Sequence, residues 1–321
     1  MARYLTHLDS TDGVDRRGFL ECMAWAGTGV VWTLSGGVAR SQKVDHQEQP
    51  SSGLSFVQIS DSHIGFNQDA NPDVRATLEL AAAKINAMTE PPAFLIHTGD
   101  ISHLSRPEEF DTAKALLDGV KTGERFWVPG EHDVLTGHGK PYLERFGKNT
   151  MGDGWFSFDH RGVHFIGLVN AMHLKTGGLG YLGPEQLEWL ETDLQEHAAS
   201  TPVVVFAHMP LWTVYADWGW GTDDGEQALG YLRRFGSVTV LNGHIHQVMQ
   251  KVEGHLTFHT ACSTAFPQPK PGSAPSPGPM RVPAEQLRSV LGLTSVRYRL
   301  GSDALAVVDS TLVAPAVLPP A

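Results

Sequence analysis

The sequence predicts an α/β fold in which two packed sheets are flanked by helices, a four-layer α/β/β/α sandwich. Short apolar runs alternate with segments of helical spacing from residue 54 onward, as expected when strands and helices alternate along the chain. Hydrophobic residues make up 41% of the 321 residues and charged residues 18%, which is typical of a globular protein. The chain is long enough for one large domain, and residues 54–313 account for all of these elements.

Five apolar or β-branched runs have the length and composition of buried strands. They are residues 54–60, 93–98, 125–129, 203–207 and 238–242. Amphipathic spacing predicts helices between them, at residues 72–88, 107–120, 184–198 and 224–235. Hairpins are predicted at residues 155–170 and 248–260, and a helix with a closing hairpin at 284–309. The Pro-rich segment 267–283 is predicted to be an extended loop within this domain.

The amino terminus is typical of a bacterial export signal. Arg16 and Arg17 are followed by Phe-Leu, an apolar run at 22–34 and small residues near 36–39, which resembles a twin-arginine signal. We therefore predict a signal peptide at 1–40, a linker at 41–53, a tail at 314–321, and export by the twin-arginine machinery to a periplasmic or secreted location. The alternatives are an exposed arginine pair before a buried helix, or a cytoplasmic enzyme in which the pair is incidental.

Composition excludes some partners. The net charge is −11 and the sequence has no Lys/Arg cluster, so a polymeric nucleic acid is not an expected ligand. The apolar run near the amino terminus is too short and Gly-rich for a stable membrane anchor. Cys22 lies in the predicted signal peptide, which leaves Cys262 without an internal disulfide partner. The sequence makes no prediction of the oligomeric state.

Histidine and carboxylate residues follow the five predicted strands, where each strand ends. These candidates are Asp61, His63, Asp100, Glu131, His132, Asp133, His208, His244 and His246. The carboxyl ends of parallel strands meet at one edge of a sheet, so these residues are expected to gather there. Carboxylate oxygen with imidazole nitrogen and no thiolate suits Mn, Fe or Zn in a hydrolytic site. Gly99 and Gly130 remove side chains where the backbone must pass close to an ion or substrate.

The ordered set Asp-x-His, Gly-Asp, Gly-Glu-His-Asp, His and Gly-His-x-His resembles the calcineurin-like metallophosphoesterase superfamily, and within it the branch of class III cyclic-nucleotide phosphodiesterases. The resemblance implies two divalent or mixed-valence ions that hold a bridging hydroxide and hydrolyse a small phosphodiester or phosphomonoester. By this resemblance Asp100 bridges both ions. The ligands are otherwise Asp61, His63 and His246 for the first ion, and Glu131, His208 and His244 for the second. His132 is placed beside the phosphoryl group, with Asp133 steadying its ring.

Residue 131 departs from the family pattern, which usually has Asn there. A glutamate is one methylene longer and carries a negative charge. It either substitutes as an oxygen ligand, or it impairs metal binding and leaves a catalytically inactive scaffold of the same fold. An activity assay on the metal-loaded protein separates the two.

Several other residues are candidates for contact with the substrate. His103 follows the Gly-Asp loop closely, and Trp212 and Trp218 lie in an aromatic loop directly after His208. Aromatic faces near a phosphate site can stack on a nucleobase or hold an organic cation, but the same residues can equally pack the loop. His97 and His164 lie inside predicted strands and are expected to be hydrogen-bonded structural residues.

Overall fold

The computed structural model describes residues 53–299 and 305–313, together with the backbone of 30–35 and 38–43. This backbone forms a two-stranded antiparallel sheet of β1 (Val30–Ser35) and β2 (Val38–Lys43). These strands lie in the predicted signal peptide and at the start of the predicted linker. Arg16 and Arg17 lie outside the described residues, so export stays a prediction.

The domain that follows contains two mixed sheets. The first has the strand order β13-β12-β3-β4-β5, with β3 (Leu54–Ile59), β4 (Phe94–Thr98), β5 (Glu124–Val128), β12 (Gly292–Tyr298) and β13 (Ala306–Thr311). The second has the order β10-β11-β9-β8-β7-β6, with β6 (Phe156–His160), β7 (Val163–Gly167), β8 (Val203–Phe206), β9 (Val238–Asn242), β10 (Met249–Glu253) and β11 (Leu256–Thr260).

Six helices connect or cover these strands in the described part of the chain. They are α1 (Val74–Asn86), α2 (Pro107–Asp118), α3 (Lys140–Phe146), α4 (Pro184–Gln195), α5 (Gly225–Leu232) and α6 (Ala284–Val290). The side chain of Asp73 begins α1 by accepting a hydrogen bond from the amide of Ala76 at 3.0 Å. Proline opens α2 and α4, where its fixed φ suits the first turn. None of these helices has the length and hydropathy needed to cross a bilayer.

Three apolar clusters separate four layers. Val57 and Ile59 of β3 face α1 and α2, whereas Phe56 of the same strand points to the other side. Phe56 belongs to a cluster between the two sheets that also contains Phe165 and Phe206 of the second sheet. On the far face of the second sheet, a third cluster packs against α4 and α5. This alternation of side chains along each strand produces two sheets between two helical layers, and it confirms the predicted sandwich.

The parallel strands bring the predicted loops to one edge. Strands β3, β4 and β5 are parallel to one another, as are β7, β8, β9 and β11. Backbone hydrogen bonds then join the loops themselves, from the amide of Asp61 to the carbonyl of Gly99 at 3.0 Å and from the amide of His63 to that of Asp100 at 2.9 Å. The loops after β3 and β4 therefore form one continuous surface.

Candidate metal centre

Several overlapping groups of potential ligands lie at this edge, and two of these groups share no residue. Their ligating atoms lie within 4.8 Å of one another in each group. The first group is Asp61, His63 and His246, and the second is Glu131, His208 and His244. These groups have the same membership as the two ligand sets that the resemblance implies. Nearly all of these side chains are buried, and Glu131 is half-buried.

Asp100 lies between the two groups. Its Oδ2 is 3.4 Å from Nε2 of His63 and 3.6 Å from Nε2 of His208. One carboxylate oxygen thus faces one histidine of each group, as a bridging ligand requires. Oδ1 of Asp100 accepts a hydrogen bond from the amide of His132 at 2.9 Å, which fixes the orientation of the carboxylate.

The backbone at the candidate ligands has an unusual conformation. Positive φ values, uncommon for residues with a Cβ, occur at Asp61 (53°), His63 (41°), Asp100 (50°), His244 (69°) and His246 (54°). Backbone of this kind costs free energy and is concentrated at functional sites, where the surrounding structure holds it in place. The loops therefore hold these side chains in a geometry that the isolated segments would not favour.

Glycines allow the loops to approach the ligands closely. A Cβ at Gly130 would lie 2.1 Å from Oδ1 of Asp100, and a Cβ at Gly99 would lie 2.5 Å from Nδ1 of His208. Gly243 is equally restricted, because its Cβ would lie 2.5 Å from Oδ2 of Asp61. Any side chain at these positions would displace a candidate ligand.

Backbone carbonyls orient two of the histidine rings. Nδ1 of His208 is 2.7 Å from the carbonyl oxygen of Thr98, and Nδ1 of His246 is 2.6 Å from that of Phe266. In the tautomer whose Nδ1 donates to the carbonyl, Nε2 carries the lone pair. This arrangement is the usual support for a metal-ligating histidine, because it fixes both the tautomer and the direction of the ring.

Unsatisfied buried atoms test whether these residues fit a cation. Oε2 of Glu131, Nε2 of His208 and both ring nitrogens of His244 are buried without a hydrogen-bond partner. Oε2 of Glu131 lies 2.8 Å from Nε2 of His208, and Oε1 lies 3.1 Å from Nδ1 of His244, yet neither contact has the geometry of a hydrogen bond. Buried polar atoms are nearly always satisfied in proteins. A cation would satisfy Oε2 of Glu131, Nε2 of His208 and one ring nitrogen of His244, so the residues fit a metal ion, with Glu131 directed into the site.

The electrostatics of the centre lead to the same conclusion. Burial and the negative charge of Glu131 raise the pKa of Asp100 well above its usual value. Burial and the neighbouring rings of His132 and His246 hold the pKa of His63 well below its usual value, so its ring stays neutral and keeps a lone pair. Positive charge between the carboxylates would relieve their mutual repulsion.

His132 lies beside the first ligand group. Its ring centroid is 4.8 Å from that of His63, and its Nδ1 is 2.8 Å from the carbonyl oxygen of His103. The ring of His103 stacks on His132 at 4.8 Å with an interplanar angle of 16°, and its Nδ1 is 3.4 Å from Nδ1 of His63. The structure thus brings His103 to the site together with His132.

The expectation that Asp133 steadies the ring of His132 is wrong. The carboxylate of Asp133 accepts hydrogen bonds from the amides of Ile101 (3.1 Å), Ser102 (2.8 Å) and Gly130 (2.9 Å). It therefore ties the loop after β4 to the loop after β5, and the carbonyl of His103 holds the ring instead. The two residues are adjacent on a 3-10 turn, Glu131–Asp133, so their side chains point in different directions.

The aromatic loop shows the contacts of loop packing. Trp212 packs against Phe258 at 4.8 Å on the helix-covered face of the second sheet. Trp218 packs edge-to-face against Tyr215 at 5.3 Å and Trp220 at 5.0 Å. These contacts favour loop packing over substrate contact for Trp212. A substrate contact of Trp218 stays a prediction.

His97 and His164 have the structural roles expected of them. Nε2 of His97 is 3.0 Å from Oγ of Ser62, and the ring is buried. The two ring nitrogens of His164 lie 3.0 Å from Asp159 and 2.8 Å from Asp193. Burial lowers the pKa of His164, but the two carboxylates outweigh it and raise the pKa above 6.5.

The sequence reasoning did not identify residues 263–268, which follow β11 and contact candidate ligands of both groups. Ser263 donates a hydrogen bond to the carbonyl of Asp61, Phe266 accepts one from His246, and Gln268 donates one to the carbonyl of His244. All of these contacts use a main-chain atom on at least one side, so no pattern of residue types marks them.

A sandwich with two His/carboxylate groups and a shared aspartate at the strand ends defines a class of dinuclear metal-dependent hydrolases. Residues 54–248 match the family model for calcineurin-like phosphoesterases, and the chain belongs to this family, whose members have a dinuclear metal site. The chain is accordingly a metal-dependent phosphoric ester hydrolase.

Relatives and solved structures agree with this assignment. The chain is 24% identical over 219 residues to a 3′,5′-cyclic-nucleotide phosphodiesterase of Nostoc, covering 66% of this chain and 79% of the relative. It is 26% identical over 205 residues to a glycerophosphodiester phosphodiesterase of Enterobacter lignolyticus, covering 61% and 71%. The fold is similar to that of a dimetal phosphatase from Danio rerio, with a TM-score of 0.64, 15% identity, and coverage of 81% of this chain and 96% of that structure.

Proposed function

We propose that this protein is an exported phosphodiesterase whose two ions are held by the residues gathered at the strand ends. Asp100 would be shared by both ions. Asp61, His63 and His246 would hold the first ion, and Glu131, His208 and His244 would hold the second. The observation that carries this proposal is the placement of Asp100 Oδ2, 3.4 Å from a histidine of one group and 3.6 Å from a histidine of the other.

When bound, two such ions supply Lewis acidity toward a phosphoryl oxygen and lower the pKa of water that attacks phosphorus. The protein's own residues serve to place His132 at the leaving oxygen. Nδ1 of His132 is engaged by the carbonyl of His103, so Nε2 is the nitrogen that meets the substrate. As the bond from water oxygen to phosphorus forms and the ester P–O bond breaks, the attacking water releases one proton to solvent, and protonated His132 gives its Nε2 proton to the leaving oxygen. The ring of His132 then takes up a proton from solvent. His103, stacked on this ring, limits its rotation.

We propose Mn, Fe or Zn as the ions, either as a divalent pair or as a mixed-valence pair. Imidazole and carboxylate ligands suit all three metals. The ligand set contains Asp61, Asp100 and Glu131, one carboxylate more than in the usual family pattern. An additional negative charge favours tight binding and a more highly charged iron.

We propose a small phosphodiester as the substrate and a phosphomonoester as the second choice. Two of the relatives that cover more than half of this chain are named as diesterases, one for cyclic nucleotides and one for glycerophosphodiesters. The protein carries a net charge of −11, which argues against a polymeric nucleic acid as the substrate.

Elemental analysis combined with an activity panel tests the proposal. The purified protein is loaded with Mn, Fe or Zn and assayed on bis-aryl and mono-aryl phosphates, and then on small natural diesters. We expect two metal equivalents per chain and faster turnover of the diester. Fewer than two bound ions, or no hydrolysis with any metal, would overturn it.

The alternative is a metal-binding scaffold that lost catalysis through Glu131. The geometry does not favour it, because both carboxylate oxygens of Glu131 lie within 3.1 Å of a histidine nitrogen of the second group. These contacts support Glu131 as an oxygen ligand of the second ion.

We also propose export in folded form by the twin-arginine machinery to the periplasm or the medium. The support is the order Arg16-Arg17, Phe-Leu, apolar run and small residues. Export of the folded protein suits an enzyme that must load its metals in the cytoplasm. Cell fractionation of the full chain, with an Arg16→Lys/Arg17→Lys variant as control, tests this: export that persists in the variant contradicts the proposal.

A further inference from the structure

Residues 263–268 contact ligands of both groups, although they lie beyond residues 54–248, which match the family model. This clamp segment follows β11 and is anchored to the loop after β3. The hydroxyl of Ser263 donates to the carbonyl of Asp61 at 2.7 Å. The hydroxyl oxygen of Ser263 in turn accepts hydrogen bonds from the amides of Ala265 at 2.8 Å and Phe266 at 3.2 Å. Asn71 binds the carbonyl of Ala265 at 2.6 Å.

Phe266 touches both histidines of the first group. Its carbonyl oxygen is 2.6 Å from Nδ1 of His246. Its ring packs on the ring of His63 at 4.8 Å and 27° and on the ring of His246 at 4.7 Å and 37°. Phe66 supports it from behind at 4.4 Å, and both phenylalanines are only 3% exposed. One residue therefore fixes the tautomer of one imidazole and the plane of both.

The first group needs such support. Nε2 of His63 and Nε2 of His246 are only 3.3 Å apart. Because Nδ1 of His246 is engaged by the carbonyl of Phe266, its Nε2 is the nitrogen that faces His63. The two Nε2 atoms are within hydrogen-bond distance, so a proton on one of them or a cation can lie between them. Packing that prevents the rings from turning apart keeps the geometry ready for an ion.

The same segment reaches the second group more weakly. Nε2 of Gln268 donates to the carbonyl of His244 at 3.1 Å, and Nε2 of Gln247 donates to the carbonyl of Pro269 at 2.7 Å. These bonds hold the main chain of the Gly-His-Ile-His loop, but they do not touch the rings of His208 or His244. The influence of Phe266 is thus expected to fall mainly on the first ion.

We infer that Phe266 is a positioning residue for the first metal ion, acting through its ring on His63 and His246 and through its carbonyl on His246, with Ser263 holding that carbonyl in place. The inference rests on the proposed ligand assignment. It adds that the affinity of the first ion is set in part outside the motif residues.

The test compares Phe266→Leu and Ser263→Ala with Phe110→Leu. Phe110 is a fully buried phenylalanine of α2 that packs near Tyr142 and Phe146, so it is a matched control for loss of a core ring. Each protein is stripped of metal and titrated with Mn²⁺, and the two binding constants are measured by calorimetry and by Mn²⁺ electron paramagnetic resonance. Loss of a group that orients a ligand typically lowers metal affinity about 10- to 100-fold.

We expect one of the two binding constants to weaken about 10- to 100-fold in Phe266→Leu and less in Ser263→Ala. The other constant, and both constants of Phe110→Leu, should change less than about threefold, and saturating Mn²⁺ should restore turnover. Equal weakening of both ions, unchanged binding, or the same effect in Phe110→Leu overturns the inference. If Phe266→Leu does not fold, Ser263→Ala alone decides. A wild-type protein that binds fewer than two ions contradicts the proposed function instead.

Discussion

Replacing Glu131 by Gln tests the most unusual feature of the centre. Gln has the same length and keeps one ligating oxygen, but it removes the negative charge. Two unit charges about 4 Å apart interact by about 4 kcal/mol at an effective dielectric constant of about 20. Glu131 is partly exposed and the amide oxygen remains a ligand, so we expect a loss of about 1.4–2.8 kcal/mol. This corresponds to about 10- to 100-fold weaker binding of the second ion.

The assay is Mn²⁺ titration of the stripped protein together with turnover of an aryl phosphodiester. The affinity for the first ion should change less than about threefold, because Asp61, His63 and His246 form the other group. Glu131→Asn, which restores the usual family residue, serves as the second variant. An affinity of the second ion that stays unchanged in Glu131→Gln would refute Glu131 as a ligand. A strong gain of activity in Glu131→Asn would instead show that the wild type is the impaired scaffold.

Three further outcomes are expected. His132→Ala should leave metal content intact and lower turnover of an aryl phosphodiester about 10²- to 10⁴-fold, and unchanged turnover would remove His132 from the mechanism. Phe165 is fully buried between the sheets, so Phe165→Ala should lower the protein's free energy of unfolding by about 3–5 kcal/mol, measured by urea denaturation. Asp193 and Asp159 raise the pKa of His164 in the folded protein, so the protonated ring stabilises the fold. This stabilisation is complete below pH 6.5 and is lost as pH rises through the folded-state pKa. The urea midpoint of the wild type should therefore fall as pH rises above 6.5, and that of His164→Gln should vary less. Equal dependence of the two midpoints on pH would contradict this.

Much of the fold follows from local pattern. The run at 54–60 becomes β3 (Leu54–Ile59), and the amphipathic segment at 184–198 becomes α4. Helix α3, in contrast, was not predicted, because only Tyr142 and Phe146 of its seven residues are buried. Two apolar positions are too few to establish a period.

The sequence predicted those parts of the candidate site that depend on the type of residue. It did not predict the parts that depend on where a side chain lies in space. Asp61, His63 and His246 could be named because carboxylate and imidazole at strand ends have few other uses. Asp133 could be named but not placed, since its orientation depends on amides of two loops that the sequence does not show to be adjacent.

By itself, the sequence determined the layers and the inventory of candidate ligands, because both depend on side-chain chemistry and on its period along the chain. Only the tertiary structure decided how that inventory is held. Asp100 faces both groups, the carbonyl of His103 orients His132, and the ring of Phe266 covers His63 and His246. These contacts join residues distant along the chain, mostly through main-chain atoms common to every amino acid. For that reason they form only when the sheets bring the loops together.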